Sequence, residues 1–465
     1  MRFDVVVLGG GSAGEVVAEL VRDAGRTVAV IEENLVGGEC PYVACMPSKA
    51  LLRSAGARHD ATRLVELGGA PEAVDLGDGA DAFIGAARRR DGIAEHGDDT
   101  GAMAAMEAEG IRVIRGRGRI VGPGAVDVDG TLVECADLVI CTGSSAIRPA
   151  VEGLDLVGAW SSDQALTAPA RPVSLVVLGG GPVGCELAQA FARFGSRVVL
   201  VEASGQLLGR EDPRIAGRLT QALVRDGIDV RVGVSATRAV RTDGGLTRVS
   251  LDDGRSVEVE RVLVAAGRVP STRGVGLDSL GIDLDEGSAI PIDATCRVSG
   301  LAHVWAAGDV TGVAPFTHTA NYQGRVVAAG ILGQSRAADY RAVPRAVYTD
   351  PAVVSVGLSE QEAHERGIDV VATAVELADL PRALADGDGS GLLLVTADAE
   401  RRVLLGASAI GPHAPDWMGE VVLAIRGQVP LSMVVDVVHA FPTYSEAWDV
   451  AYRDLLEACV RRERT

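Results

Sequence analysis

Asp4-Val5-Val6-Val7-Leu8-Gly9-Gly10-Gly11-Ser12-Ala13-Gly14 runs a continuous apolar strand straight into a glycine turn. Leu175-Val176-Val177-Leu178-Gly179-Gly180-Gly181-Pro182-Val183-Gly184 repeats the arrangement later in the chain. A helical stretch follows each turn, Glu15 to Ala24 in the first copy and on to Phe194 in the second. A second apolar strand comes next, Thr27 to Ile31 and Val198 to Val201, closed by the acids Glu32 and Glu202. Uninterrupted apolar strands suit a parallel sheet buried on both faces. In G-x-G-x-x-G spacing the first glycine makes the tight turn, the second lets the backbone approach a pyrophosphate, and the third lets helix and strand pack closely. The pyrophosphate then lies at a helix N-terminus, where free N–H groups and the helix dipole favour negative charge. One such turn is weak evidence. Two, each after a strand, before a helix and eighteen residues ahead of an acid, predict two nucleotide sites.

The remaining sequence fits around those two units. A chain of 465 residues exceeds the ~250–300 residues at which single cores stop growing, so several domains are expected. Aromatic residues are only 3%, which leaves packing to Val, Leu and Ala. The fold class read from these patterns is α/β, two Rossmann-like dinucleotide-binding domains followed by a C-terminal α+β unit. The expected division is 1–155, 156–275 and 276–340, with the α+β unit at 341–465. A net charge of -19 disfavours nucleic acid, whose binding is driven by Lys and Arg displacing counterions. No run of ~18 apolar residues predicts a membrane span, and the N-terminus lacks the apolar core of a secretory signal, so a cytoplasmic location is expected. Seven cysteines, an odd number, argue against a structural disulfide framework. No metal site is read.

Glu32 and Glu202 end their strands where a carboxylate accepts hydrogen bonds from adenosine ribose hydroxyls. A 2′-phosphate would be repelled by Glu202, so NAD(H) is expected over NADP(H), although Arg197 and Arg210 lie nearby. The next motif is Gly37-Gly38-Glu39-Cys40-Pro41-Tyr42-Val43-Ala44-Cys45-Met46-Pro47-Ser48-Lys49. Pro41 suits the first turn of a helix, which puts Cys40 at a helix N-terminus and lowers its expected pKa. On a regular helix, residues five apart stand about 8.7 Å apart between Cα atoms, beyond the ~7 Å reach of a disulfide. A bond between Cys40 and Cys45 therefore requires a distorted helix, and Pro47 offers a cause. The alternative is a pair of buried small hydrophobes.

The whole constellation resembles the class I pyridine nucleotide-disulfide oxidoreductases, the family of dihydrolipoamide dehydrogenase, glutathione reductase and mercuric reductase. The motif Gly37 to Lys49 carries that resemblance most specifically. Leu138-Val139-Ile140-Cys141-Thr142-Gly143, Val304-Trp305-Ala306-Ala307-Gly308-Asp309, Val264-Ala265-Ala266-Gly267-Arg268-Val269-Pro270 and the opening Val343 to Pro351 of the last unit extend it over nearly the full chain. The resemblance implies a homodimer joined through 341–465, FAD and NAD(H) as cofactors, and a small-molecule electron acceptor. It implies Cys45 as the flavin-side thiol, Cys40 as the interchange thiol, and Lys49 near the flavin, paired with Glu186. FAD would be held by Gly9, Gly11, Ser12, Ala13, Gly14, Glu32, Gly38, Glu39, Cys40, Lys49, Gly118, Thr142, Gly143, Gly308, Asp309 and Thr317. NAD would be held by Gly179, Gly181, Pro182, Val183, Gly184, Glu186, Glu202 and Gly267. Pro182 stands where several relatives carry a tyrosine over the flavin, which implies an ungated nicotinamide pocket.

One position departs from the family. The chain reads His439-Ala440-Phe441-Pro442-Thr443-Tyr444-Ser445-Glu446, with Phe441 where the family's acid–base histidine belongs and Glu446 retained as its orienting acid. A positioned general acid contributes roughly 100- to 10,000-fold, so turnover of glutathione or lipoamide should be slow. His439 and Tyr444 are secondary candidates for the proton, with a structural His439 and a packed Tyr444 as the plainer readings. Three functions remain open: disulfide reductase or dithiol oxidase, reductase of metal ions, quinones or dyes, and redox sensor. Cys135, Cys141, Cys185 and Cys296 read as inert buried thiols, Cys459 as an exposed one, His318 as a helix-start residue and His413 as a surface loop residue.

Overall fold

The computed structural model describes residues 1–462; the last three residues of the expected 341–465 unit lie outside them. Strand Arg2–Leu8 pairs in parallel with Val28–Glu32 on one side and with Thr131–Ile140 on the other. Arg112–Arg115 extends the sheet beyond Val28–Glu32. The long strand Thr131–Ile140 divides its length: Leu138 to Ile140 pair in parallel with Val304–Ala306, while its start pairs antiparallel with Ala125–Val128. Because Val5 to Leu8 are all apolar, both faces of the strand are buried. Val5 and Val7 pack with Val17, Val21 and Val326 on one side, and Val6 and Leu8 with Ile120, Val126 and Val133 on the other. Each such side chain contributes about 1.5–3 kcal/mol of burial.

Helix Ser12–Asp23 buries Ala13, Val17, Ala18 and Val21, the i, i+4 stripe of an amphipathic helix. That stripe lies on helix Thr317–Ile331, close enough that a Cβ on Gly324 would come within 2.9 Å of the Ala13 carbonyl oxygen. A residue more than 300 positions away is thus held against the first turn by backbone contact.

The second copy of the plan forms a four-stranded parallel sheet in the order Asp229–Val232, Arg197–Glu202, Ser174–Leu178, Arg261–Val264. An antiparallel meander of Ala236–Arg241, Thr247–Leu251 and Ser256–Val259 packs beside it. The chain passes between the two units on a paired ribbon, Ser144–Ala146 against Arg268–Pro270. Val151, Leu154 and Val157 pack into the core of the second unit.

From residue 345 the chain builds a five-stranded antiparallel sheet, Arg345–Val347, Ala352–Gly357, Val403–Gly411, Leu392–Asp398, Val370–Glu376 in spatial order. Helix Glu446–Arg462 lies on it with Trp448, Ala451, Tyr452, Leu455 and Cys459 buried. The α/β class with two Rossmann-like units and a separate α+β unit is therefore the architecture observed. Among the described residues, no helix is long and apolar enough to cross a membrane.

His439 pins this last unit. Its Nδ1 lies 2.7 Å from Asp449 Oδ1 and its Nε2 lies 2.7 Å from Glu420 Oε2. Glu420 also accepts from the Tyr452 hydroxyl at 3.1 Å. A neutral imidazole has one N–H, so only the imidazolium donates to both carboxylates. Burial works against that charge, but the bonds to Glu420 and Asp449 outweigh it and raise the pKa above 6.5. A raised folded-state pKa contributes stability that is complete below the unfolded value and is lost as pH climbs through the folded one. Urea unfolding followed against pH should show this unit weakening above 6.5 in the wild type and a flatter profile in His439→Gln; parallel profiles would refute the linkage.

Candidate active site

The dithiol loop is moored on the first glycine turn. The Gly37 N–H donates to the Gly10 carbonyl at 2.8 Å. Gly38 has φ +72°, and a Cβ there would come within 2.9 Å of Gly11 Cα. Only glycine allows both the conformation and the approach. Helix Glu39–Tyr42 then begins, ends after one turn, and is followed by Val43 at φ −133° and Ala44 at φ −133°, ψ −95°. A new helix, Cys45–Thr62, starts at the second cysteine. The distortion expected at Pro47 thus lies before Cys45, at Val43 and Ala44. Pro47 sits inside the first turn of the new helix, where a missing N–H breaks no helical bond.

Both thiols are free in the structure. The neighbouring Cys40 thiol, assisted by Thr317 and Lys49 and opposed by burial, lowers the Cys45 pKa to about 6. The same proximity, reinforced by burial, raises that of Cys40. The expectation of a lowered Cys40 is therefore corrected: the acidic thiol is Cys45. It heads an eighteen-residue helix, whereas Cys40 belongs to a four-residue turn with little dipole to offer.

Lys49 lies one helical turn past Cys45, on the same face. Its Nζ is 2.9 Å from Glu186 Oε2 and 4.7 Å from the centroid of the half-exposed Tyr348 ring. Glu186 is a buried carboxylate, with its side chain 6% exposed, and its other oxygen accepts from the Tyr348 N–H at 2.9 Å. The pair is thus no surface salt bridge. It joins the dithiol helix, the second glycine-turn helix and the backbone just past the opening strand of the last unit.

The two glycine turns have the same geometry. A Cβ on Gly14 would lie 2.1 Å from the Gly9 carbonyl oxygen, and one on Gly184 would lie 1.9 Å from that of Gly179. In the first turn, Glu15 donates the first helical bond, to Gly11, which leaves the N–H groups of Ser12, Ala13 and Gly14 facing outward. In the second, Pro182 occupies the first helical position, Val183 follows it, and Gly181 caps the helix. Glu32 accepts from Gly10 N at 2.7 Å and Asn34 N at 2.6 Å, and Glu202 from Gly180 N at 2.6 Å and Ser204 N at 2.7 Å. Each carboxylate oxygen keeps a second lone pair for a ribose hydroxyl. Gly118 packs across the ends of the neighbouring strands, where a Cβ would strike Leu8 Cδ1 at 2.4 Å and Ile31 Cγ2 at 3.0 Å.

Beyond the first sheet the remaining candidates gather around Asp309. Its carboxylate accepts from the Ser144 hydroxyl at 2.6 Å, and Gly308 N–H donates to the buried Gln323 amide at 2.7 Å. Thr142 Oγ1 donates to the Ser271 carbonyl at 2.8 Å, and Gly143 and Gly267 adopt φ of +72° and +113° at the two ends of the crossing ribbon. Thr317 begins helix Thr317–Ile331. Two residues on, Thr319 is 2% exposed, yet its hydroxyl has no partner among the described residues. A glycine cradle, outward N–H groups, an acid at the strand end and an orphaned hydroxyl at a second helix start together fit an FAD-sized dinucleotide.

Four contributors were not singled out from sequence. Arg268 pairs with Glu39 at 2.8 Å and donates to the Ser144 hydroxyl at 2.8 Å, so the residue before Cys40 is tied to the crossing ribbon. Ser144, Gln323 and Tyr348 complete the network. Arg268 directly follows a marked glycine, but its partner is more than 200 residues away.

The segment expected to supply a proton is otherwise engaged. His439 is held by Glu420 and Asp449. Tyr444 is buried within its own subunit, donates to Asp386 at 3.2 Å, and has its pKa raised by burial and that carboxylate. Glu446 accepts from Thr443 N–H at 3.0 Å at the start of its own helix. Phe441 is 74% exposed. Cys459 is 1% exposed, on the inner face of its helix, which corrects the expectation of a surface thiol. Burial raises the pKa of Cys135, Cys141, Cys185 and Cys296. His318 donates through Nε2 to the Pro344 carbonyl at 2.9 Å and stacks on Phe316, and His413 is exposed.

Comparison with known proteins agrees with this arrangement. Residues 3–324 match the family described as pyridine nucleotide-disulphide oxidoreductase, and residues 343–452 match that family's dimerisation domain. The chain is 32% identical over 451 residues to a dihydrolipoyl dehydrogenase of Chlamydia muridarum, covering 96% of this chain and 95% of the relative. It is 34% identical over 463 residues to a mercuric reductase of Streptomyces lividans, covering 97% and 95%. Among solved structures, the HOCl-induced flavoprotein disulfide reductase RclA from Escherichia coli superposes with a TM-score of 0.85 at 27% identity, covering 97% of this chain and 99% of that one. LpdA from Mycobacterium tuberculosis superposes with a TM-score of 0.85 at 25% identity, covering 98% and 99%. With two nucleotide-type turns, a dithiol loop moored on the first and a matching dimerisation domain, the chain belongs to the pyridine nucleotide-disulphide oxidoreductases.

Proposed function

We propose that this protein passes electrons from NADH through FAD and the Cys40–Cys45 pair to a thiol-reactive acceptor. The observation that carries the reading is the acidic Cys45 thiol, one helical turn from a lysine held by a buried glutamate. When bound, FAD accepts hydride from the nicotinamide and delivers two electrons to the disulfide. Two electrons and one proton convert the Cys40–Cys45 disulfide to a Cys45 thiolate and a Cys40 thiol, the protonation pattern favoured by the opposite pKa shifts of the two thiols. Lys49 places a positive charge beside that thiolate, where Glu186 holds the ammonium, and the same charge would stabilise a reduced flavin bound there. Cys40, the more distant of the two from Lys49 in sequence, meets the acceptor by thiol exchange.

Glu202 supports NADH over NADPH, since a carboxylate anchored at the strand end repels a 2′-phosphate. Arg197 does not offset it, because it opens the strand that Glu202 closes, about 16 Å away at ~3.3 Å per residue. The matching dimerisation domain and exposed apolar residues Met433, Val437, Val438 and Phe441 support a homodimer.

Phe441 favours a second reading, reduction of a metal ion, as substrate, or of a quinone, neither of which requires an acid at that position. Relatives include a mercuric reductase and a structure of RclA in complex with Cu(II).

Anaerobic NADH titration should yield a two-electron-reduced protein with long-wavelength thiolate-to-flavin absorbance that disappears in Cys45→Ser; reduction without that absorbance would overturn the dithiol route. Quinone turnover that persists in a Cys40→Ser, Cys45→Ser double variant would move the protein to the second reading. Phe441→His, with Glu446 retained to orient the ring, should raise kcat/KM for lipoamide or glutathione disulfide by about 100-fold, the lower range of a positioned acid. No gain in an FAD-loaded variant would show that the missing proton donor does not limit the reaction.

A further inference from the structure

Thr317 belongs to the helix start that packs on the first nucleotide turn, yet its hydroxyl faces the dithiol. Its Oγ1 lies 3.4 Å from Cys40 Sγ and 3.5 Å from Cys45 Sγ. We propose that Thr317 is a catalytic residue whose hydroxyl follows the negative charge between the two sulfurs, donating to whichever is the thiolate. The inference rests on the dithiol reading above and adds to it a route by which Cys40 becomes nucleophilic without a histidine at Phe441.

Position and chemistry both support the assignment. A threonine inside a helix commonly spends its hydroxyl on the carbonyl four residues back, but Thr317 is the first helical residue and no turn precedes it. Among the described residues its hydrogen-bond partners are the two sulfurs. The helix cannot drift away from the dithiol. Its Gly324 is in backbone contact range of Ala13, Ala320 N–H donates to the Phe316 carbonyl at 2.9 Å, and His318 is anchored on Pro344. A β-branched side chain at that point has few rotamers to choose from.

A hydroxyl carries one proton and can donate to one sulfur at a time; here it is oriented to donate to Cys40 and lies within hydrogen-bond reach of Cys45. In the reduced dithiol, Cys45 is the thiolate, Cys40 the thiol, and Thr317 donates to Cys45. Transfer of the Cys40 proton to the neighbouring Cys45 sulfur leaves Cys45 as the thiol and Cys40 as the thiolate. No external base takes part, and the number of protons on the pair is unchanged. The Thr317 hydroxyl then rotates to donate to Cys40, stabilising the nucleophile when it attacks the acceptor.

The test titrates the reduced holoenzyme by ultraviolet thiolate absorbance and by the pH dependence of iodoacetamide alkylation, with Cys40 and Cys45 resolved by mass spectrometry. The other five cysteines titrate higher because burial raises them. Thr317→Val removes the hydroxyl while keeping the branched shape and should raise the low thiolate midpoint by about one pH unit, a roughly tenfold change in the thiolate–thiol ratio. Thr317→Ser should leave it within a few tenths. Thr317→Ala serves as the hydroxyl-free variant if Thr317→Val does not fold. A wild-type midpoint matched by Thr317→Val, or an equal shift in Thr317→Val and Thr317→Ser, overturns the role of the hydroxyl and leaves the dithiol reading standing. Absence of any low-titrating thiol in the wild type overturns the dithiol reading itself.

Discussion

The structure depends on the closeness of two backbones, Gly11 in the first turn and Gly38 ahead of the dithiol. At that separation Gly38 has no room for a side chain toward Gly11, and the Gly37–Gly10 hydrogen bond fixes the register. Everything redox-active is placed from that contact: the short turn with Cys40, the break at Val43 and Ala44, and the long helix carrying Cys45 and Lys49. The same first turn receives helix Thr317–Ile331 on its other side, so a nucleotide cradle, two sulfurs and a threonine hydroxyl share one reference point.

Much of this was legible in sequence because it is local. Strand, glycine turn, helix and acid occur within about thirty residues in each copy, and the physical demands of a tight turn leave few residue choices. The dithiol motif was equally legible, but the account of how its two cysteines approach one another was not. Pro47 drew attention as a helix breaker, whereas a proline in a first turn is compatible with a helix, and the actual break falls on Val43 and Ala44, which carry no turn signal. Cys40 was expected to be the acidic thiol because a helix begins there; that helix lasts four residues, and the longer one starts at Cys45. Cys459 sits among arginines in sequence, yet its helix turns it inward onto the sheet. Arg268 to Glu39, Ser144 to Asp309 and Glu186 to Tyr348 join residues separated by more than a hundred positions, which no periodicity can reveal.

The dithiol cluster and the His439 segment are built from different parts of the molecule. The cluster around Lys49 is compact, drawn from segments that meet at Glu186. The segment where the family places its proton donor is instead committed to holding the last unit together: His439 clamps two helices, Tyr444 is buried on Asp386, and Phe441 offers a bare aromatic ring. No imidazole stands at position 441, while the Thr317 hydroxyl stands beside both sulfurs.

Glu186 also limits how far the units can be treated as interchangeable parts. One buried carboxylate spends one oxygen on Lys49 from the flavin side and the other on the backbone of Tyr348 from the dimerisation side. A chimera that exchanges the second glycine-turn unit for another would therefore replace the carboxylate that anchors Lys49 of the first. The second glycine turn and the charge partner of Lys49 travel together, because Glu186 lies in the helix that this turn opens.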